Sequence, residues 1–87
     1  MMSNELLNRR IRRWFLLTFK RMPSDDIGYF KTWVNRFKQG PRYVWQQADN
    51  HSRINLKKVF PLHYKGITTG TNLMNEEYMV QAKFDWW

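Results

Sequence analysis

The chain has 87 residues, a formal charge of +8, fifteen aromatic side chains and no cysteine. These features exclude a disulfide framework and a thiolate metal centre, and the length leaves room for one core only, so 1–87 reads as a single domain. The excess of cations favours a polyanionic partner: nucleic acid, an anionic membrane or an acidic protein surface.

The first predicted element is a helix over residues 4–22, NELLNRRIRRWFLLTFKRM. Ser3 or Asn4 suits its N-cap, and Glu5 in the first turn suits the positive end of the helix dipole. Leu7, Ile11, Trp14, Phe15, Thr18, Phe19 and Met22 fall on one stripe at helical spacing. Arg9, Arg10, Arg12, Arg13, Lys20 and Arg21 take the remaining arc, and Glu5 is the one acid within the helix. Guanidinium forks match phosphate oxygens, so this arc is a candidate phosphate contact; the bland alternative is a solvated surface face. Leu6, Leu16 and Leu17 lie between the cations, and Leu16 and Leu17 are candidates for a protein interface. A secretory signal is not expected, because WFLLTF is shorter than an ordinary signal core and no small-residue cleavage site follows. An interfacial membrane helix ranks below a packed one, since the apolar stripe continues in the next element.

Pro23 biases Met22 out of the helical region and ends the first helix. Ser24 then caps a second helix over residues 25–39, with Ile27, Phe30, Trp33, Val34 and Phe37 as its apolar stripe. Gly40-Pro41 reads as its stop. A helix-turn-helix reading of residues 4–38 suffers from the length of both helices.

Beyond Pro41 the period changes. Residues 42–47 read as a short strand, Ala48 to Ser52 as a turn, and residues 53–60 as a second strand with Ile54, Leu56, Lys58 and Phe60 alternating against Asn55, Lys57 and Val59. Residues 62–75 read as loop or weak edge strand. Tyr78, Val80, Ala82, Phe84 and Trp86 alternate with Met79, Gln81, Lys83, Asp85 and Trp87, which predicts a third strand over 77–86, with a helix capped by Asn75 as the rival. The expected fold is therefore α+β: an N-terminal two-helix hairpin packed on a three- or four-stranded antiparallel sheet. On that sheet Arg42, Tyr43, Trp45, Arg53, Lys57 and Lys58 interleave cations with rings, as single-stranded nucleic acid requires; the competing reading makes Tyr43 and Trp45 core.

No nucleophile–base constellation is present, so the expectation is a protein that is not an enzyme and uses no cofactor or metal. His51 and His63 could form an acid–base pair or, with Glu76 and Glu77, a metal site only if the fold brought them together, and no HxH or HExxH spacing exists. Gly66 to Thr71 lacks the Gly-Lys-Ser/Thr ending of a phosphate loop. Neither an RNP1 signature nor a GXXG loop is present.

A small, cysteine-free, aromatic-rich chain with the basic segment Arg9-Arg10-Ile11-Arg12-Arg13 and the Leu56-Lys57-Lys58 step resembles bacteriophage accessory proteins, most of all the T4-type ToxN inhibitory factors that antagonise a toxin endoribonuclease. The resemblance lies in size and charge and carries no residue assignments. It implies binding to RNA and to a toxin nuclease in the host cytoplasm. The expected function is thus non-catalytic RNA binding coupled to antagonism of a host factor, with homo-oligomers an open possibility. The competing classes are an inhibitor acting purely on an acidic host protein surface and a small DNA-binding regulator.

Overall fold

The computed structural model describes residues 2–64. Over these residues the chain is all-helical, in the order α1 (Asn4–Phe19), a 3-10 turn (Pro23–Asp25), α2 (Ile27–Gln39), α3 (Pro41–Gln47), α4 (Asn50–Val59) and a single-turn α5 (Pro61–Tyr64). The α+β expectation is overturned here: residues 42–47 and 53–60 are helical, and there is no strand among the described residues. The expected third strand over 77–86 lies outside the described residues, as do Gly66 to Thr71 and Glu76 and Glu77.

Local chemistry explains each boundary. Ser3 caps α1, its Oγ accepting the Leu6 N–H at 3.2 Å. The helix ends three residues before the expected stop at Met22, because Lys20 turns left-handed at φ 57° and returns its N–H to the Leu16 carbonyl at 2.9 Å. Arg21 is then free to pair with Asp26, which precedes α2 and makes no side-chain cap bond of its own. The expected Ser24 cap is replaced by the 3-10 turn, so α2 begins two residues late, at Ile27.

The stretch read as a hairpin is governed by its ends. Gly40 sits at φ 126°, ψ 163°, a conformation open to glycine, and aims the chain so that Pro41 occupies the first position of α3. The same Gly-Pro pair that stops α2 therefore starts α3. Asp49 caps α4, its Oδ1 accepting the Ser52 N–H at 2.8 Å. The inward stripe of α4 is Ser52, Asn55, Leu56 and Val59, spaced i, i+3, i+4, i+7. Half of that stripe is polar: Asn55 Nδ2 donates to Thr18 Oγ1 of α1 at 3.2 Å, the Ser52 hydroxyl donates to Asp49 at the helix cap, and the Ser52 main-chain carbonyl accepts Trp14 Nε1 at 3.0 Å.

Packing follows from an unbroken line of rings. Trp14, fully buried on α1, meets Trp33 and Phe37 of α2 edge-on at 4.9 and 5.2 Å. Phe37 meets Phe60 at 5.6 Å, Phe60 meets Tyr64 at 6.4 Å, and Tyr64 stacks on Trp45 at 5.2 Å. Tilted and edge-on pairs of this kind add to the area each ring buries. Tyr64 closes the line with its hydroxyl donating to the Pro41 carbonyl at 2.7 Å, which ties α5 to the start of α3. Through these contacts α1 is held between α2 on one flank and α4 on the other. Its far side faces solvent.

Candidate nucleic-acid interface

The inward stripe of α1 is as the sequence predicts for Leu7, Ile11, Trp14, Phe15 and Thr18, all buried; Phe19 is half-buried and Met22, past the helix, is half-exposed. With that face fixed, a step of 100° per residue distributes the cations. Arg9, Arg13 and Leu16 form a stripe opposite the core, at offsets i, i+4 and i+7, and Lys20, the left-handed cap residue, stands just past its end. All four are exposed, Leu16 to 42%. None of the three cations has an ion-pair partner among the described residues.

The other basic residues of α1 do not join this stripe. Arg12 leans toward α2, with its guanidinium 5.7 Å from the centre of the Phe30 ring. Arg10, half-buried, lies round the opposite flank. Arg21, beyond the helix, is engaged with Asp26. Four arginines that are adjacent in sequence thus serve three different surfaces, since neighbours on a helix point 100° apart. Leu17 is partly buried and packs on the core, so of the two leucines proposed for a protein contact Leu16 alone is well exposed.

Comparison of the chain with protein-family models, curated proteins and solved structures finds no match. The site therefore has to be read from its own side chains.

The second basic group, expected to lie on one sheet, is dispersed by the helices. Trp45 is fully buried and stacked on Tyr64, so its ring is core and is not offered to a base. Arg53 covers the Trp45 ring at 5.1 Å and donates from Nε to the Trp45 carbonyl at 3.0 Å. It caps the end of α3 from α4. Burial holds the Arg53 guanidinium below its ordinary range, against the opposing pull of Asp49. Arg42 and Lys57 are half-buried and engaged in further interactions. Tyr43, 39% exposed, borders a polar recess between α2 and α3, where Arg36 lies over the Trp33 ring at 4.5 Å. Lys58 is exposed on α4. Rings and cations on the expected sheet thus become a packing device plus scattered surface charge.

Each histidine has structural company. His51 Nε2 lies 3.2 Å from the Thr18 carbonyl at the end of α1, and the His63 ring meets Phe60 edge-on at 6.0 Å. Among the described residues no group of three or more His, Cys, Asp or Glu converges as metal ligands, and no helix is long and apolar enough to cross a membrane.

One feature involves a single expected site residue, Arg12, in a setting the sequence did not predict. A groove runs between α1 and α2, bordered by Asn8 and Arg12 on one helix and by Lys31 and Lys38 on the other. Its signal was present in the sequence as the long apolar stripe of α2. Of that stripe only Trp33 and Phe37 are buried; Ile27 is 53% exposed, and Phe30 and Val34 are half-buried.

Proposed function

We propose that this chain is a non-catalytic RNA-binding protein that applies the outer stripe of α1 to phosphates. The observation that supports the reading is the set of three exposed cations, Arg9 and Arg13 on the outer face of α1 and Lys20 at its C-terminal cap, unpaired among the described residues. Like charges held together cost stability, and a polyanion removes that cost. Arginine supplies bidentate contacts to phosphate oxygens, and Leu16 between the cations gives an unpaired base an apolar rest. RNA is favoured over duplex DNA because Leu16, exposed between the cations, can meet the face of a base only where that base is unstacked. In the setting implied by its resemblance in size and charge to phage-encoded toxin antagonists, the chain would act in the host cytoplasm and hold RNA beside a toxin endoribonuclease.

The test is fluorescence anisotropy with labelled single-stranded RNA and with a DNA duplex of equal length. The reading expects RNA to bind more tightly than duplex, and the triple variant R9E/R13E/K20E to lose RNA binding while its helical circular dichroism is retained. Normal RNA binding by that variant would remove the site. Equal or tighter binding of duplex would favour the DNA-regulator reading. No binding of either, with inhibition of a toxin nuclease preserved, would leave a purely protein-directed inhibitor.

A further inference from the structure

We infer that the α1–α2 groove is a docking site for an acidic amphipathic helix of a partner protein. Two adjoining cavities of about 340 and 360 Å³ share Asn8 and Val34, so they form one trough along the antiparallel pair. From Arg12 to Asn4 on α1 the trough covers nine residues, about 12 Å or two helical turns. Its apolar floor is Leu7 and Ile11 from α1, Pro23 from the 3-10 turn, and Ile27, Phe30, Val34 and Phe37 from α2. An α2 stripe wider than its neighbour covers is what a surface helix shows where a further helix is to pack.

The rim decides the partner's charge. Arg12, Lys31 and Lys38 are all exposed and line the trough, and no Asp or Glu lines it among the described residues. None of the three is ion-paired among the described residues. A helix that lays apolar residues at i, i+3, i+4 and i+7 on the floor and carries Asp and Glu on its flanks satisfies both features together. The floor discriminates against nucleic acid, because of its two aromatic rings Phe37 is fully buried and Phe30 is already covered by Arg12. A second copy of this chain is a poor occupant, since it brings a net charge of +8 to a basic rim. The trough is separate from the outer stripe of α1, so the inference stands whether or not RNA binds there.

The probe is a display library of 16-residue peptides with leucines fixed at helical spacing and flanking positions varied among Asp, Glu, Lys, Arg and Ser. Selection on the full chain is expected to enrich Asp and Glu on both flanks. A selected peptide should shift the methyl resonances of Leu7, Ile11, Ile27 and Val34 and should lose at least about tenfold in affinity for K31E/K38E. R9E/R13E/K20E should still bind that peptide, which separates this site from the RNA stripe. The inference is overturned if selection yields no binder or no acidic bias, or if K31E/K38E binds the peptide normally. It is equally overturned if single-stranded RNA, or raised concentration of the chain alone, produces the same methyl shifts.

Discussion

Two side chains show how single residues set the stability of this fold and how that stability depends on pH. The Asp49 carboxylate is held below its ordinary value by the Ser52 N–H and hydroxyl, with burial opposing and His51 assisting. Its cap is therefore at full strength above about pH 4 and is lost as pH falls through the depressed folded value. Asp49 is exposed, so D49A should cost about 1 kcal/mol at neutral pH, as N-cap removals do, and the deficit should shrink under acid. Urea melts of both proteins at pH 7 and pH 3 measure this. Tyr64 is the opposite case. Full burial raises its hydroxyl well above the usual tyrosine value, so the fold prefers the protonated form. That contribution is intact below about pH 10, where a tyrosine of the unfolded chain ionises, and is lost as pH rises through the folded value. Y64F should lose about 1 kcal/mol at pH 7 with the bond to the Pro41 carbonyl and should unfold less steeply between pH 10 and 12. Thermal melts across that range read the difference. The core role of Trp45 was open in the sequence as one of two readings of an aromatic between cations. Burial by Tyr64, a partner 19 positions on, decides it, and residue type alone does not reveal such a partner.

At the scale of elements, α1 and α2 were legible because their inward stripes are apolar and unbroken enough for the 3.6-residue period to stand out. The segments α3 and α4 were not. In α3 the inward positions Pro41, Val44, Trp45 and Ala48 keep helical spacing, yet Tyr-Val-Trp in succession has strong strand preference over so short a run. In α4 the inward stripe contains Ser52 and Asn55, which a hydrophobicity pattern scores as outward. Ile54, exposed in the helix, then alternates with Leu56 and Phe60 and imitates a strand. The Ser52 hydroxyl is satisfied locally by Asp49, but the Asn55 amide is satisfied by Thr18, a bond that exists only after α1 and α4 have met. The junctions were half-read: Gly40-Pro41 ends one helix and opens the next. The two described glycines make that junction testable. At Gly40 an added Cβ would meet nothing within 4 Å, yet φ is 126°, so G40A should destabilise through backbone strain alone, by about 1–3 kcal/mol. At Gly28 an added Cβ also meets nothing, and the backbone is helical, so G28A should stabilise by about 0.5–1 kcal/mol. Equilibrium denaturation of the two variants should give opposite signs.

For the molecule as a whole the question is whether the charge acts from a place or from a total. Residues 2–64 hold thirteen Lys and Arg against four Asp and Glu, a balance of +9. Any polyanion will be drawn to such a body, and binding alone proves no site. Counterion release separates the cases. Each cation that neutralises a phosphate of a single strand contributes about −0.7 to the slope of log K against log salt, so three contacts account for about −2. In R9Q/R13Q/K20Q the slope for single-stranded RNA should rise toward zero by about that amount. R12Q/K31Q/K38Q removes the same charge from the α1–α2 rim and keeps the outer stripe. If phosphates lie on the stripe, this second variant keeps nearly the wild-type slope. Titrations over several salt concentrations with both variants decide the matter. Equal shallowing in both means that RNA responds to the net charge of the body, and the stripe then has no privileged role. Shallowing in the rim variant alone would place the phosphates along the trough, and its acidic-helix occupant would lose the charge argument that recommends it.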